Sequence, residues 1–166
     1  SECLVGSEMC IKDSMYDVLQ GISDHAKLQI VLNAVEKGSN PWGCTDYLNQ
    51  KKKILETGAD VYELMNDYPV HTKAVLINDR LSVVGSYNLD MRSTYLDTEL
   101  MLVIDSEKLS QQIHETESDY MEKSKEVLAN GQETEGAKYQ GKVLNRKKKL
   151  YYGVLRIIIR PLRQLL

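Results

Sequence analysis

The sequence predicts an α/β fold in which helices flank a mixed β-sheet. Segments with apolar residues at helical spacing alternate with short apolar runs of strand length over the first part of the chain. Two such runs, residues 70–77 and 81–84, stand on either side of a polar turn formed by Asn78, Asp79 and Arg80, which is typical of a hairpin. A length of 166 residues suits one domain with a sizeable core.

The first half of the chain is predicted to hold two helices and two strands. Residues 13–22 form a helix because their apolar side chains recur at helical spacing behind a Lys-Asp-Ser start. The apolar run 27–32 indicates a buried strand, and the Gly, Ser, Asn and Pro residues within 36–43 indicate a loop. A second helix covers residues 46–57 and ends at a glycine C-cap, and a strand covers residues 60–64.

The second half begins with the hairpin and continues with a strand and a long helix. The apolar run 98–104 indicates the strand. Residues 106–130 have apolar side chains at helical spacing and end at an Asn-Gly pair, so they predict the helix. Residues 131–144 are polar and lack an apolar period, which indicates a linker or flexible arm. The resulting division is a folded domain over 1–130, the arm, and a tail over 145–166.

The tail is basic and amphipathic. Residues 138–166 carry nine of the 21 basic residues and no acidic one, which leaves 12 basic and 24 acidic residues, a charge of −12, on the rest of the chain. Such asymmetry predicts an anionic partner for the tail, and the acidic remainder makes nucleic acid an unfavourable one. If helical, the tail places Arg156, Arg160 and Arg163 beside an apolar face, which suits the surface of an anionic membrane. On this interpretation, removal of 138–166 leaves the sheet folded. The alternative is an ordinary amphipathic helix that packs back on the domain.

Five polar residues at fixed offsets around the hairpin form a candidate catalytic site: His71, Lys73, Ser86, Asn88 and Glu99. A His and a Lys two positions apart on a strand point to the same side of the sheet. The set combines a nucleophile or acid, a phosphate-binding cation, two hydrogen-bond donors and a carboxylate able to orient the imidazole. Cleavage of a phosphodiester needs this combination. A second His-x-Lys, at residues 25–27, lacks the downstream partners and indicates a helix-to-strand junction.

The segment resembles the phospholipase D superfamily, whose signature is His-x-Lys, four residues, Asp, and then Gly-Ser-x-Asn. Here His71 and Lys73 are followed by Asn78 in the Asp position and by Gly-Ser-Tyr-Asn at 85–88. The neighbouring Asp79 cannot replace the family's Asp, because adjacent strand residues face opposite sides of a sheet.

The surrounding sequence resembles the bacterial cardiolipin synthase-like group within this superfamily. The similarity lies at residues 88–100 and in the upstream stretch 53–64, and it extends over residues 1–115. It implies one half of a phospholipase D-like fold, without a cofactor or a metal. The three cysteines form no metal-binding pattern, and their odd number favours reduced thiols in a cytosolic domain.

The resemblance also implies a mechanism of covalent phosphoryl transfer. One imidazole attacks phosphorus to give a phosphohistidine, while a second protonates the departing alcohol and later deprotonates the incoming water or alcohol. Lys73, Ser86 and Asn88 would bind the phosphate oxygens of the substrate. Glu99 would accept a hydrogen bond from the other ring nitrogen of His71. The residues expected to support the loop and the fold around the site are Asn78, Asp79, Asp90 and Arg92.

This mechanism needs two histidines, and the chain supplies one motif. A missing N-terminal half or a second chain would complete the site, and in two-motif members the second-half His often serves as general acid. The favoured function is therefore phosphatidyl transfer on a phospholipid substrate, cardiolipin synthase-like, by a peripheral protein at the cytoplasmic face of the cell membrane. The alternatives are a homodimeric single-motif phosphodiesterase or nuclease, and a non-catalytic membrane-binding half.

Overall fold

The computed structural model describes residues 2–5, 13–141 and 143–161. The strands in this part of the chain are β1 (Glu2–Val5), β2 (Leu28–Asn33), β3 (Asp60–Leu64), β4 (Ala74–Ile77), β5 (Leu81–Gly85), β6 (Met101–Asp105), β7 (Ser124–Val127) and β8 (Glu133–Glu135). The helices are α1 (Asp13–Ser23), α2 (Pro41–Glu56), α3 (Met91–Tyr95), α4 (Glu107–Glu122) and α5 (Arg146–Ile158).

The strands form one sheet in the order β6-β5-β4-β1-β2-β3-β7-β8. The central strands β1, β2 and β3 run parallel, and each later strand joins its neighbour in antiparallel orientation. The parallel pairs are linked through α1 and α2, whereas β4 and β5 form a hairpin. The predicted mixed sheet flanked by helices is confirmed.

Alternate residues of β2 enter cores on opposite faces of the sheet. Ile30 belongs to the larger core, which also contains Leu19 of α1 and Ile54 of α2. Val31 belongs to the smaller core, against which Ile113 of α4 packs. Strands covered on both faces are continuously apolar, which explains why the run at β2 shows no alternation in the sequence.

Helix α2 begins earlier than the predicted start at residue 46. Asn40 is its N-cap, and the side-chain oxygen accepts a hydrogen bond from Trp42 N at 3.0 Å. Pro41 occupies the first helical position, where the missing N–H is not needed and the fixed φ suits the helix. The Asn-Pro pair that indicated a loop is therefore a helix start, and the predicted loop over 36–43 is too long.

The predicted helix over 106–130 is wrong in its second part. Helix α4 ends at Glu122, and after Lys123 the residues Ser124–Val127 form β7, which pairs antiparallel with β3. Ser124 Oγ donates to the carbonyl of Tyr120 at 2.6 Å and satisfies an acceptor at the helix end. Val127 is buried in the sheet, so pairing with β3 outweighs the helical spacing of this stretch.

Within the stretch 131–144, predicted as a flexible arm, residues Glu133–Glu135 extend the sheet. Strand β8 pairs with β7, and Glu133 reaches Lys125 at 3.3 Å and Lys51 at 3.9 Å. Both lysines also contact the buried carboxylate of Glu63, at 3.1 and 2.7 Å. Lys138 then contacts the carboxylate of Asp119 at 3.1 Å. This part of the predicted arm is thus tied to β3, α2 and α4.

Helix α5 packs on α2, in agreement with the alternative interpretation of the tail. Tyr152, Leu155 and Ile159 are buried against the body of the protein. Arg156 Nε donates to Asn49 Oδ1 of α2 at 2.9 Å, and its Nη2 donates to a carbonyl of the same helix at 3.3 Å. This packing argues against the expectation that residues 138–166 are dispensable for the fold, which stays a prediction. The last five residues of the predicted tail, 162–166, lie outside the described residues.

Helix α5 also has an outer face that the body does not cover. Leu150, Val154 and Ile157 are exposed there, and the basic residues 146–149 precede them. Within the described part of the chain, no helix is both long and apolar enough to cross a membrane.

Candidate active site

The His-x-Lys segment lies immediately before β4 and not inside it. The predicted strand over 70–77 is shortened to Ala74–Ile77, because His71 and Lys73 precede the paired residues. Asn33, the last residue of β2, holds this segment through two hydrogen bonds to Val70. Its Nδ2 donates to Val70 O, and its Oδ1 accepts from Val70 N, each at 2.8 Å. Sequence reasoning missed Asn33, since nothing in its local sequence points to residue 70.

Lys73 and His71 contact each other directly. Lys73 Nζ lies 2.8 Å from His71 Nε2 and donates to the His71 carbonyl oxygen at 3.1 Å. Lys73 is buried, whereas His71 is exposed. A lysine ammonium has donors and no acceptor, so Nε2 of His71 accepts this bond and the ring proton lies on Nδ1. The segment thus presents an unprotonated imidazole nitrogen beside a cation.

Gly85 allows β5 to approach the start of β6 closely. A Cβ at this position would lie 2.0 Å from the carbonyl oxygen of Leu100 and 2.9 Å from Met101 Cα, and both are backbone atoms. Gly85 N also donates to the carbonyl of Lys73 at 3.2 Å. The glycine of the Gly-Ser-x-Asn motif therefore brings that motif against both the His-x-Lys segment and residues 99–101.

Ser86 connects the motif to Glu99. Its hydroxyl donates a short hydrogen bond to Glu99 Oε2 and accepts one from Leu100 N at 3.0 Å. Hydrogen bonds from Ser86, and secondarily from Ser93, hold the pKa of Glu99 below its ordinary value, and the charge of Lys73 acts in the same direction. Glu99 is thereby kept ionised near the buried ammonium.

Asn88 is positioned by the short helix α3, which sequence reasoning also missed. Asp90 caps this helix, because its Oδ1 accepts from Ser93 N at 2.7 Å. Ser93 Oγ in turn accepts from Asn88 N at 3.2 Å. The signal for α3 was an Asp three residues before a Ser in an otherwise loop-like stretch. Arg92 lies at the outside of this helix, where it contacts Asp97 at 3.4 Å.

Asn78 and Asp79 lie at the far end of the hairpin from His71. Both are exposed, and Asn78 has a φ of 51°, a left-handed conformation that asparagine adopts more readily than most residues. The adjacent Arg80 pairs with Asp105 at 2.6 and 2.8 Å, which joins the hairpin turn to the end of β6. In this chain, the asparagine in the Asp position of the signature thus serves the β4–β5 turn.

The structure brings the five predicted site residues to the end of the hairpin where β4 begins and β5 ends. His71 contacts Lys73, and Ser86 contacts Glu99. Among the described residues, no hydrogen bond joins Glu99 to His71, so their predicted contact stays a prediction. Residues 2–5, 13–141 and 143–161 contain no group of three His, Cys, Asp or Glu side chains placed to hold a metal ion.

The sequence matches a known protein family over most of its length. Residues 8–119 match the family described as "Cardiolipin synthase, PLD-like domain". Cardiolipin synthase A of Proteus mirabilis (strain HI4320) is 37% identical over 94 residues, which cover 57% of this chain and 19% of that protein. Cardiolipin synthase A of Serratia proteamaculans (strain 568) is 32% identical over 105 residues, 63% of this chain and 20% of that protein. The chain thus spans about a fifth of the length of these curated relatives.

Two solved structures have the same fold. The phospholipase D family member Nuc from Salmonella typhimurium superposes with a TM-score of 0.62 at 15% identity, over 81% of this chain and 82% of that chain. The phosphatidylserine synthase of Haemophilus influenzae Rd KW20 superposes with a TM-score of 0.69 at 14% identity, over 99% of this chain and 41% of that chain. The family match includes the whole segment from His71 to Glu99, and the chain belongs to the PLD-like domain family of cardiolipin synthases, within the phospholipase D superfamily.

Proposed function

We propose that this chain supplies one catalytic half of a phosphatidyltransferase that acts on phospholipids. The observation that carries the proposal is the 2.8 Å contact between Lys73 Nζ and His71 Nε2, beside the Ser86–Glu99 pair. A cation next to an unprotonated imidazole nitrogen can draw a phosphodiester to the atom that attacks it. Asn88 would donate hydrogen bonds to the other phosphate oxygens, and Ser86 would do so only after its single proton leaves Glu99.

In the proposed reaction, an imidazole Nε2 forms a bond to phosphorus while the bond from phosphorus to the alcohol oxygen breaks. A second imidazole gives its proton to that oxygen and then takes one from an incoming alcohol or water, which attacks the phosphohistidine and releases the first imidazole. Lys73 stabilises the charge that builds on the phosphate oxygens. Glu99, kept ionised by Ser86, would stabilise the imidazolium of His71 if the ring turns Nδ1 toward it.

Whether Nε2 of His71 carries a proton determines which of the two roles this residue can have in the reaction. Its acceptor contact with Lys73 supports the nucleophilic role, because an acid carries its proton on the nitrogen that faces the leaving oxygen. Either role requires Lys73 to release this nitrogen first, because the lone pair that accepts from Nζ is the one that would attack phosphorus or carry the proton of the general acid. Acid-labile phosphate trapped on His71 during turnover, located by mass spectrometry, would distinguish the two roles.

We propose that the second imidazole comes from outside these 166 residues, either from the rest of a longer chain or from a second copy. The exposed apolar surface beside the site supports this proposal. It includes Tyr95 and Leu96 after α3 and Leu100, Leu102 and Val103 at the outer edge of the sheet. Exposed apolar side chains in such numbers are typical of a surface that another polypeptide covers. The relatives, about five times as long, have ample sequence to supply that polypeptide.

We propose further that the outer face of α5 holds the domain at an anionic membrane, on its cytoplasmic side. Four consecutive basic residues, 146–149, precede the exposed Leu150, Val154 and Ile157. Each such charge near an anionic surface contributes about 1 kcal/mol, and the apolar side chains add burial at the head-group level. Because Tyr152 and Leu155 occupy the opposite face, the helix can remain packed while it binds lipid.

The test of the proposed activity is phosphatidyl transfer by the full-length protein on phospholipid vesicles, with wild type beside His71→Ala and His25→Ala. His25 is the matched control, because it begins the other His-x-Lys of the chain. We expect transfer to disappear in His71→Ala alone. Unchanged turnover in His71→Ala would refute the proposal. Hydrolysis of a DNA phosphodiester in place of lipid would support the alternative nuclease.

A further inference from the structure

A cavity of about 260 Å³ lies on the other side of the His-x-Lys segment, between β4, β5 and α4. Thr72, which stands between His71 and Lys73, lines it together with Thr116 and Gln112 of α4. These three residues are exposed, and they surround its open side with hydroxyl and amide groups. Val84 and Ile113 form part of the apolar wall of the cavity. The cavity is therefore accessible, mainly apolar inside and polar at its rim.

Among the described residues that line the cavity, Glu117 is the one with a charged side chain. It is 3% exposed, and its Oε1 has no hydrogen-bond partner among the described residues. A buried carboxyl oxygen without a partner is costly, because it loses its bonds to water and gains none in return. Oε1 itself has almost no accessible surface, so a small turn of the Glu117 side chain toward the cavity that it lines would bring this oxygen to a ligand able to donate a hydrogen bond to it.

We propose that this cavity binds a primary ammonium group carried on a short alkyl body, with Glu117 as its counter-ion. The ammonium has three N–H donors, which the Glu117 carboxylate and the oxygens of Thr72, Thr116 and Gln112 can accept. The alkyl body fits the wall formed by residues such as Val84 and Ile113. An anion would be repelled by Glu117, and a wholly apolar occupant would leave Oε1 without a partner. The site is distinct from the candidate active site, which faces phosphate.

The protonation of Glu117 makes the proposal testable through pH. Burial raises the pKa of Glu117 to about 7, which an interaction with the Cys3 thiol of β1 partly offsets. The other titratable group facing it is Tyr120 of α4, whereas Thr72, Ala74 and Val84 of the β4 and β5 side do not titrate. An ammonium ion binds the ionised carboxylate, so binding should weaken as pH falls below 7.

The experiment is calorimetric titration of the 166-residue chain with n-butylammonium and with 1-butanol, which has the same number of heavy atoms and no charge. We expect saturable binding of n-butylammonium that falls about tenfold in affinity between pH 8 and pH 6, as the ionised fraction of a carboxyl with a pKa near 7 does. We expect 1-butanol to bind far more weakly. Equal binding of the two compounds, or no saturable binding of n-butylammonium at pH 8, would overturn the proposal.

Two matched variants on the same helix locate the site. Glu117→Gln keeps the shape and removes the charge, and we expect it to lose about thirtyfold in affinity for n-butylammonium, the scale for losing one partner of a buried charge pair. Glu115→Gln removes an exposed charge from α4 and should bind as wild type does. Thermal melts confirm that both variants are folded. Should Glu117→Gln unfold, the pKa of Glu117 in the wild type, followed by NMR, must fall when n-butylammonium is added. An unchanged pKa refutes the site.

Discussion

The chain contains two His-x-Lys segments, and their surroundings differ completely. His25 follows α1, where its Nδ1 lies 2.9 Å from the carbonyl oxygen of Gly21, and Lys27 is exposed and 3.7 Å from the carboxylate of Asp60. At the second segment, Lys73 is buried and its Nζ lies 2.8 Å from His71 Nε2. A spacing of two residues therefore does not by itself bring a lysine to a histidine. In the second segment the buried ammonium contacts the imidazole, and in the first it does not.

Tertiary neighbours produce that burial. The second segment is held by Asn33 at the end of β2 and by Gly85 at the end of β5. Both contacts come from strands that are distant in sequence and adjacent in the sheet. The first segment lies at a helix end, where its contacts are mostly local. Substitutions that remove one neighbour at a time therefore test the difference between the two segments.

The largest expected effect is on activity in the matched histidine variants. In the full-length protein, His71→Ala should abolish phosphatidyl transfer, because no other described group beside Lys73 can replace the imidazole. His25→Ala should transfer at the wild-type rate. Radiolabelled lipid transfer measures both variants. If both lose activity equally, the two segments are not functionally different and the comparison fails.

The second largest effect on activity is expected in the matched lysine variants. Lys73→Ala removes the cation beside the phosphate, so kcat should fall on the order of 100-fold, as it does when one donor to a developing oxyanion is lost. Lys27→Ala removes an exposed ion pair, which contributes about 0–1 kcal/mol to stability and nothing to the site. Steady-state kinetics with a melting curve for each variant separates loss of activity from loss of fold.

Two glycines near the two segments allow a stability comparison. Gly85→Ala would place a Cβ against the backbone at Leu100, and we expect a loss of about 1–3 kcal/mol in the free energy of unfolding. Gly21, inside α1, has open space around it, and Gly21→Ala should be stabilising by about 0.5–1 kcal/mol. Urea titration of the 166-residue chain measures both. A stable Gly85→Ala variant with full activity in the full-length protein would show that the close approach of β5 and β6 is unnecessary.

Asn33→Ala should lower the free energy of unfolding by less than Gly85→Ala does. It removes both hydrogen bonds to Val70, and we expect about 1 kcal/mol of destabilisation together with lower activity, because the His-x-Lys segment is no longer held to β2. The measurements are urea unfolding and transfer kinetics, with kcat compared at saturating substrate. Normal kcat in Asn33→Ala would mean that β4 alone positions His71.

The smallest effect concerns the pKa of Glu99. Ser86→Ala removes the hydrogen bond that chiefly lowers this pKa, so we expect it to rise toward the ordinary value for Glu. Because the folded-state pKa is lowered, the contribution of Glu99 to stability is present above its unfolded pKa and is lost as pH falls through the folded one. In Ser86→Ala that contribution should be smaller, and its loss should be complete at a higher pH. Carboxyl NMR titration detects the shift, and an unmoved pKa would show that Ser86 does not hold Glu99.

The sequence predicted the fold class, strands β2 and β3 and the hairpin, and it proposed the candidate site residues, whereas the central strand β1 was not predicted. Strand β3 lies where its apolar run predicts, and the β4–β5 hairpin turns at Asn78, Asp79 and Arg80. Apolar periodicity and turn residues act over a few positions, so these features can be predicted locally. The offsets from His71 to Glu99 named the same side chains that the structure gathers at one end of the hairpin.

Only the folded structure shows which residues those side chains contact. Residues 124–127 have a helical spacing, yet they form β7 because β3 offers an unpaired edge. The tail has the basic, amphipathic sequence of a helix that binds membrane surfaces, yet Tyr152 and Leu155 lie buried against the body of the protein. Asn33 and Glu117 acquire their roles from residues far away in sequence, Val70 for the first and Thr72 and Val84 of the same cavity for the second. Strand pairing and side-chain burial depend on the assembled sheet, so a local sequence pattern cannot predict them.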